Sequence, residues 1–409
     1  MLGAGRRCSR GRRCAVNTVT DQPPATVTES RSKRQWWGYA LALVPFAFLL
    51  VFESVGANNF DFEIYRNAML DVMKGGSAYT YSIYQAQYGT GMGFVYPPFA
   101  SLLLLPFAWM PDAVGRYLMA IGTATLVSAA LVASFTVIDT RREASGRNPL
   151  SLVVWAWVSL PVAVAIPAVS NMGNGQVSFA IAAVVLLDVL VLPRRWRGIL
   201  VGLMGGVKLT PMIMVPYYLV TKQWRAAINA CSGFGVCVLV AALLRWTDSV
   251  RYWLHPDVIN GSLGDLARWD NWSFNGDLAR LGLQGLLLTV CWGAAVLVVL
   301  VAALWRARSH YLAGQGMEAT LLMGLVAGLI TSATWPHHLL FLSLACALLA
   351  VQRPLLGTIS LLVLVVAGYL AHNVIGFLLV PIMIGFVMLG LPGQMKPVTS
   401  VGMLLKEPL

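Results

Sequence analysis

The chain has 409 residues and a net charge of +12, yet only 11% of it is charged while 58% is hydrophobic, and its mean hydropathy is +0.71. That balance excludes a soluble globular protein, because a chain of this size has no means of hiding so much apolar surface without lipid. The apolar runs are continuous, not alternating, which excludes a β-barrel and leaves an all-α polytopic integral membrane protein.

Residues 1–34 carry eight Lys/Arg against two acids, half of the net charge. With no apolar core and no cleavage site, residues 1–35 read as a disordered basic cytoplasmic tail and not as a signal peptide. Residues 36–395 then form a single transmembrane domain, and 396–409 a short C-terminal tail. Spans are expected near 37–55, 96–111 with 114–138, 150–169, 174–192, 198–220, 226–245, 283–304, 316–334, 337–351, 355–371 and 374–391, about 10–12 crossings in all. Proline-marked interruptions at Pro111-Asp112 and at Lys208-Leu209-Thr210-Pro211 predict broken or re-entrant helices, which are tolerated where backbone lines a protein cavity.

Most remaining Lys/Arg sit in short connectors such as Arg194-Arg195-Trp196-Arg197 and Trp305-Arg306-Ala307-Arg308. Such connectors mark the cytoplasmic face. Residues 56–95, 246–282, 331–338 and 372–373 then lie outside, together with His255, His337, His338 and His372. A charge parked in a tail and in connectors leaves no basic groove for nucleic acid. The cysteines lack ligand spacing, and no His/Asp/Glu group has metal-binding spacing, so neither metal nor other cofactor is expected.

Acid–base chemistry therefore belongs to the outer face. Asp61 follows the first apolar segment directly, where a partly dry carboxylate suits a general base; an interfacial cap is the alternative. Glu63 shares its face on a strand and diverges from it on a helix. Lys208, set within an apolar run, needs an anion, either a phosphate or a buried acid. The Gly/Asn turn holding Asn174 and Gln176 offers amides to a sugar or phosphate. Trp269-Asp270-Asn271-Trp272-Ser273-Phe274-Asn275-Gly276-Asp277 mixes aromatics with carboxylates and amides, which suits carbohydrate and equally an interfacial belt. Trp335-Pro336-His337-His338 closes the set; adjacent histidines chelate poorly, but one suits a phosphate.

Read together, Asp61-Phe62-x-x-Tyr65-x-x-Ala68, Tyr96-Pro97-Pro98, Gly175-Gln176, Lys208-Leu209-Thr210-Pro211, Asn275-Gly276-x-x-x-Arg280 and Trp335-x-His337-His338 resemble the actinobacterial GT-C glycosyltransferases of family 87. Within them the chain is most similar to the polyprenyl-phosphate-mannose-dependent α-1,2-mannosyltransferases of phosphatidylinositol mannosides and lipoglycans. The resemblance covers about residues 37–390. It implies a GT-C helical bundle and inverting transfer, on the extracytoplasmic face of the plasma membrane, from a β-polyprenyl-phosphate mannose donor to a glycolipid acceptor. Asp61 would be the base, and His337, His338 and Lys208 would meet the donor phosphate. Glu63, Tyr65, Tyr96, Asn174, Gln176, Asp270, Asn275, Arg280 and Trp335 would contact sugar or acceptor. Thr331-Ser332-Ala333-Thr334 departs from the Ser-Pro that relatives often carry before Trp-x-His-His. A decaprenyl-phosphate-dependent arabinofuranosyl- or other pentosyltransferase is the competing enzyme, and a lipid-linked sugar transporter or flippase is the competing class.

Overall fold

The computed structural model describes residues 36–84, 91–255, 262–263, 265–370, 376–389 and 391. The expected tails at 1–35 and 396–409, and His372, lie outside the described residues. Helix α1 is Trp36–Phe52, followed by α2 (Phe60–Met73) and the short strands β1 (Ser82–Tyr84) and β2 (Gly91–Gly93). Then come α3 (Pro98–Trp109), α4 (Asp112–Ala144), α5 (Leu152–Val164), α6 (Ile166–Asn174), α7 (Ser178–Leu190) and α8 (Ile199–Val207). A 3₁₀ turn at Thr210–Ile213 leads to α9 (Met214–Val220), α10 (Trp224–Leu244), α11 (Trp246–Leu254), α12 (Phe274–Arg280), α13 (Gly285–Leu312) and α14 (Gly316–Ile330). A second 3₁₀ turn, Pro336–His338, precedes α15 (Leu340–Gln352), α16 (Pro354–Leu370) and α17 (Gly376–Leu389). The strands pair antiparallel, with Ser82 opposite Gly93 and Tyr84 opposite Gly91.

This is an all-α multi-pass membrane protein. Among the described residues α4, α10 and α13 are each long and apolar enough to cross a bilayer alone, and α5 with α6 makes a fourth such unit bent by 57°. Seven more apolar helices have 10–17 residues, several of them bounded by proline. Only 11% of the most apolar stretch of α13 is buried. Its exposed Leu286, Leu287, Val290, Leu297 and Val301 need lipid as their solvent.

Local chemistry explains the breaks. Pro106 sits in the first turn of the second half of α3, and Pro111 precedes α4, whose Asp112 begins the helix and whose Arg141 and Arg142 end it. That polarity complements the helix dipole. The bend between α5 and α6 falls at extended Ala165, between Pro161 inside α5 and Pro167 at the start of α6. Helix α8 stops at Val207, and Lys208 turns extended just before the Thr210-Pro211 step.

Small residues set the closest packing. A Cβ on Gly202 would lie 2.2 Å from the carbonyl oxygen of Ala230 in α10, so α8 and α10 touch backbone to backbone. The main core runs through α1, α4–α7 and α14–α15. A smaller aromatic core, with Phe62, Tyr65, Phe94 and Tyr96, seats α2 against α3. Buried charges near the basic connectors have structural partners. Asp139 accepts from Tyr39 Oη at 2.5 Å and from Trp155 Nε1 at 3.0 Å. Asp188 accepts the amides of Gly198 and Leu200, and Arg141 pairs with Glu318 at 2.8 Å.

Candidate active site

Four segments distant in sequence converge beside the first turn of α2. Asn59 takes a left-handed conformation (φ 49°) ahead of that turn, and its amide donates to Gly173 O at 2.9 Å, tying α2 to the end of α6. Gly175, also left-handed at φ 66°, ends α6. A Cβ there would stand 2.7 Å from Phe62, so glycine is what lets this turn close on α2.

The turn delivers Gln176, which is 4% exposed. Its Oε1 accepts from Tyr96 Oη at 2.9 Å and Ser178 Oγ at 3.3 Å. Tyr65 and Tyr96 share a hydroxyl contact of 2.7 Å. With Oε1 so occupied, the Gln176 amide group is left to donate to Asp61. Burial pushes the Asp61 carboxyl up from 3.8 to about 6, against the lowering pull of the Gln176 hydrogen bond, Lys208 and Arg268. The side chain remains partly exposed, so water and ligand can reach it.

Lys208, at the break after α8, donates to Ser178 Oγ at 2.9 Å and to His338 Nε2 at 2.8 Å, with its amine 5.2 Å from the centre of the Tyr96 ring. Among the described residues no carboxylate lies within ion-pair distance of it, and Asp61 is the acid whose charge it feels at longer range. His337 packs edge-on against His338, 4.6 Å between ring centres. Its Nδ1 meets Ser170 Oγ at 3.3 Å, which accepts from Asn174 Nδ2, and its buried Nε2 has no partner among the described residues. Burial first and Lys208 second hold both imidazoles well below the usual histidine range, with Arg268 adding to the effect on His337. Both rings are therefore neutral at pH 7.

From Lys208 and His338 a cleft of about 550 Å³ runs between α7, α9 and α14. Ser178, Thr331 and Thr334 line it near the amine, while Ile181, Val185, Ile213, Met214 and Phe341 line the rest. It has a polar head and an apolar body.

The rim comes from the 262–280 segment. Arg268 grips Asp270 at 2.9 and 2.6 Å and lies over Trp335 at 4.7 Å. Arg280 donates to the carbonyls of Arg268 and Asn271 and pairs with Asp277, so it braces the loop. Asn275 is 5% exposed, and its Oδ1 is buried without a partner among the described residues. Asn271, wholly buried, accepts the amide of Thr334 at 2.9 Å and fixes the approach to Trp335.

The structure thus brings together Asp61, Tyr65, Tyr96, Gln176, Lys208, His337 and His338, with Asn174 one hydroxyl away and Asp270 and Trp335 at the rim. Glu63 is exposed on the opposite side of α2 from Asp61, because the segment is helical and two positions on a helix diverge. Sequence reasoning did not reach Arg268, Ser178 or Ser170, and it reached Asn271 only as one amide of the stretch that begins at Trp269. A serine within an apolar run carries no pattern of its own. Arg268 carried a legible signal, a cation between Asp265 and Asp270 in a loop rich in acids.

Comparison with known proteins decides the family. Residues 94–336 match the model of glycosyltransferase family 87. The chain belongs to that family. Three relatives are named as polyprenol-phosphate-mannose-dependent enzymes. The phosphatidylinositol mannoside α-(1-2) mannosyltransferase of Mycobacterium tuberculosis is 31% identical over 268 residues, 63% of this chain and 61% of that protein. Its Mycolicibacterium smegmatis namesake is 31% identical over 278 residues, with the same shares. A phosphatidylinositol pentamannoside mannosyltransferase of Mycolicibacterium smegmatis is 26% identical over 295 residues, 70% and 68% of the two chains. The chain therefore spans about three fifths of the length of the first two relatives. The family 87 match includes Tyr96, Gln176, Lys208 and Trp335, whereas Asp61, His337 and His338 fall outside its limits.

Proposed function

We propose that this family 87 protein is an inverting mannosyltransferase that moves mannose from a β-polyprenyl-phosphate mannose to a hydroxyl of a mannosylated phosphatidylinositol or related glycolipid, forming an α-1,2 bond. The observation that carries the reading is the joining of the Asp61 carboxylate to the Lys208–His338 pair through Gln176 and Ser178, at the polar head of an apolar cleft. A lipid-phosphate sugar needs both features, an apolar wall for its chain and cations or N–H donors for its phosphate.

In this reading the acceptor hydroxyl gives its proton to Asp61 as its oxygen bonds to C1 of the mannose. The C1–O bond to phosphate breaks on the opposite face, and the electron pair leaves with the polyprenyl phosphate, whose charge is met by Lys208 and the His337 Nε2–H. One displacement turns a β donor into an α product. The site then faces the extracytoplasmic side, because the positive-inside rule assigns the basic connectors to the cytoplasm and the loops carrying Asp61, His337 and His338 to the other side.

Purified protein incubated with polyprenyl-phosphate mannose and phosphatidylinositol mannosides should yield an α-1,2-linked product, and Asp61→Asn should abolish it while donor still binds. Near-normal turnover in Asp61→Asn would remove Asp61 as the base. A pentose donor used in preference to mannose would overturn the substrate.

A further inference from the structure

On the far side of α2 from Asp61 lies a second cleft, about 700 Å³, between α2 and the start of α4. Helical spacing puts Glu63, Arg66 and Asn67 on one face of α2 and Asp61, Tyr65 and Ala68 on the other. Across from Glu63, Asp112 and Arg116 form an ion pair of 2.8 Å, and exposed Asn58 adds an amide at the mouth. Arg66 donates one guanidinium nitrogen to Met110 O at 3.3 Å. The Nε atoms of Arg66 and Arg116 are both buried and have no partner among the described residues. A buried donor left unpaired costs about 1–3 kcal/mol, so the wall of this cleft holds donor capacity that the protein itself does not use.

We propose that this cleft binds a saccharide, the part of the glycolipid acceptor that lies beyond its reacting hydroxyl; the inference rests on the transferase reading above. Two arginines and two carboxylates cancel in charge, so a free phosphate meets as much repulsion as attraction. A polyol needs donors and acceptors side by side, which Glu63, Asp112, Arg66, Arg116 and the two asparagines supply. The position fits a lipid-borne sugar. The cleft sits where apolar α4 begins, beside the exposed apolar side chains of Val114, Tyr117 and Leu118, at the level where headgroups meet water. One helix thickness, about 10 Å, separates it from Asp61. A single sugar at Asp61 does not reach it, and an acceptor of several sugars wrapping the start of α2 does.

The test is saturation-transfer NMR of α-1,2-mannobiose on the purified detergent-solubilised full chain, with no donor present. Wild type and Asp61→Asn should both give a saturable signal. Arg66→Ala should weaken binding roughly tenfold or more, the worth of a charged hydrogen bond, and Asn58→Ala, in an exposed turn with no packing to lose, should weaken it several-fold. Four results each overturn the proposal: no signal in wild type, undiminished binding in both variants, loss of binding in Asp61→Asn, or displacement of the sugar by inorganic phosphate. Because nothing is transferred in this assay, mannobiose binding without mannosyl transfer would sink the enzyme reading alone, and transfer without mannobiose binding would sink this one alone.

Discussion

Nε2 of His338 accepts a hydrogen bond from the Lys208 ammonium at 2.8 Å. With Lys208 charged it can only donate, which puts the proton of the neutral His338 ring on Nδ1. The neighbouring ring takes the opposite tautomer. Ser170 Oγ accepts from Asn174 Nδ2 and still has a hydrogen to give His337 Nδ1, the tautomer that leaves Nε2–H as a buried donor with no partner among the described residues. These protons are assigned from the hydrogen-bond network. Two adjacent histidines thus do different work, one seating the lysine and one presenting a donor to the ligand. His338→Gln keeps an acceptor for Lys208 and should hold donor KM within a few-fold. His338→Leu should raise it about tenfold, the worth of one charged hydrogen bond. Donor titrations at saturating acceptor decide the point, and equal KM values for Gln and Leu would refute it.

The raised Asp61 carboxyl makes a pH prediction. A base works only when ionised, and burial places this group near pH 6. Below that value Asp61 is protonated and transfer should fall tenfold per pH unit. Above it the rate should level off. Measured as kcat/KM for acceptor between pH 4.5 and 8, a profile without an acidic limb near 6 would contradict the assignment.

The same burial predicts that Asp61→Asn is more stable than wild type. A carboxyl raised from 3.8 to about 6 on folding binds its proton more tightly in the folded state. Its contribution to stability is complete below pH 4 and is lost as pH rises through 6. At pH 7 the ionised group costs at most about 3 kcal/mol, and roughly half of that once its partial exposure is allowed for. The amide removes the charge and keeps an acceptor for Gln176. Melting in detergent should place the Asp61→Asn variant above wild type at pH 7.5 and level with it at pH 4, and a lower melting point at pH 7.5 would contradict this.

What was legible in advance follows from the physics of each signal. Lipid solvation acts residue by residue, so composition alone gave the all-α membrane class, and prolines gave the breaks after Trp109 and Val207. Asp61, Lys208 and the histidines stood out because ionisable groups beside apolar runs are costly. Ser178, Ser170 and Asn271 carry no such cost in isolation. Their roles arise only when α6, α7 and the 262–280 segment are packed together. Glu63 was ambiguous because its face depends on whether residues 60–73 form a strand or a helix, and the helix turns it into the second cleft.

Gln176 should tune Asp61 without touching the reacting atoms. Its Oε1 is held by Tyr96 and Ser178, which aims its amide at the carboxylate. Gln176→Glu preserves shape and acceptor but replaces the donor with a second carboxyl. Like charges side by side raise one of the two carboxyls by roughly a unit or more, so the acidic limb of the rate profile should move from about 6 to above 7. A role confined to packing would lower the rate at every pH and leave the limb where it is.

Asn271 links the rim to the histidines, and Gly276 permits it. Asn271 Oδ1 accepts from Ser273 Oγ at 2.9 Å and from the Thr334 amide at 2.9 Å, while its Nδ2 donates to Leu266 O at 2.9 Å. Trp272 N donates to Thr334 O at 2.7 Å, so two bonds carry the position of the 262–280 segment into Trp335 and His337. A Cβ on Gly276 would stand 2.5 Å from Asn271 O and 2.7 Å from its Cγ, and backbone there has no room to give. Gly276→Ala should therefore cost about 1–3 kcal/mol and raise donor KM as the histidines shift. Gly293, inside α13 with nothing within 4 Å of a Cβ, is the contrast, since Ala there should stabilise by up to about 1 kcal/mol through helix propensity. Thermal melting and donor titration of the two variants should move in opposite directions for stability, with KM changed only in Gly276→Ala. Should Gly276→Ala melt and bind donor as wild type does, Asn271 would lose its place as the link between the loop and the site.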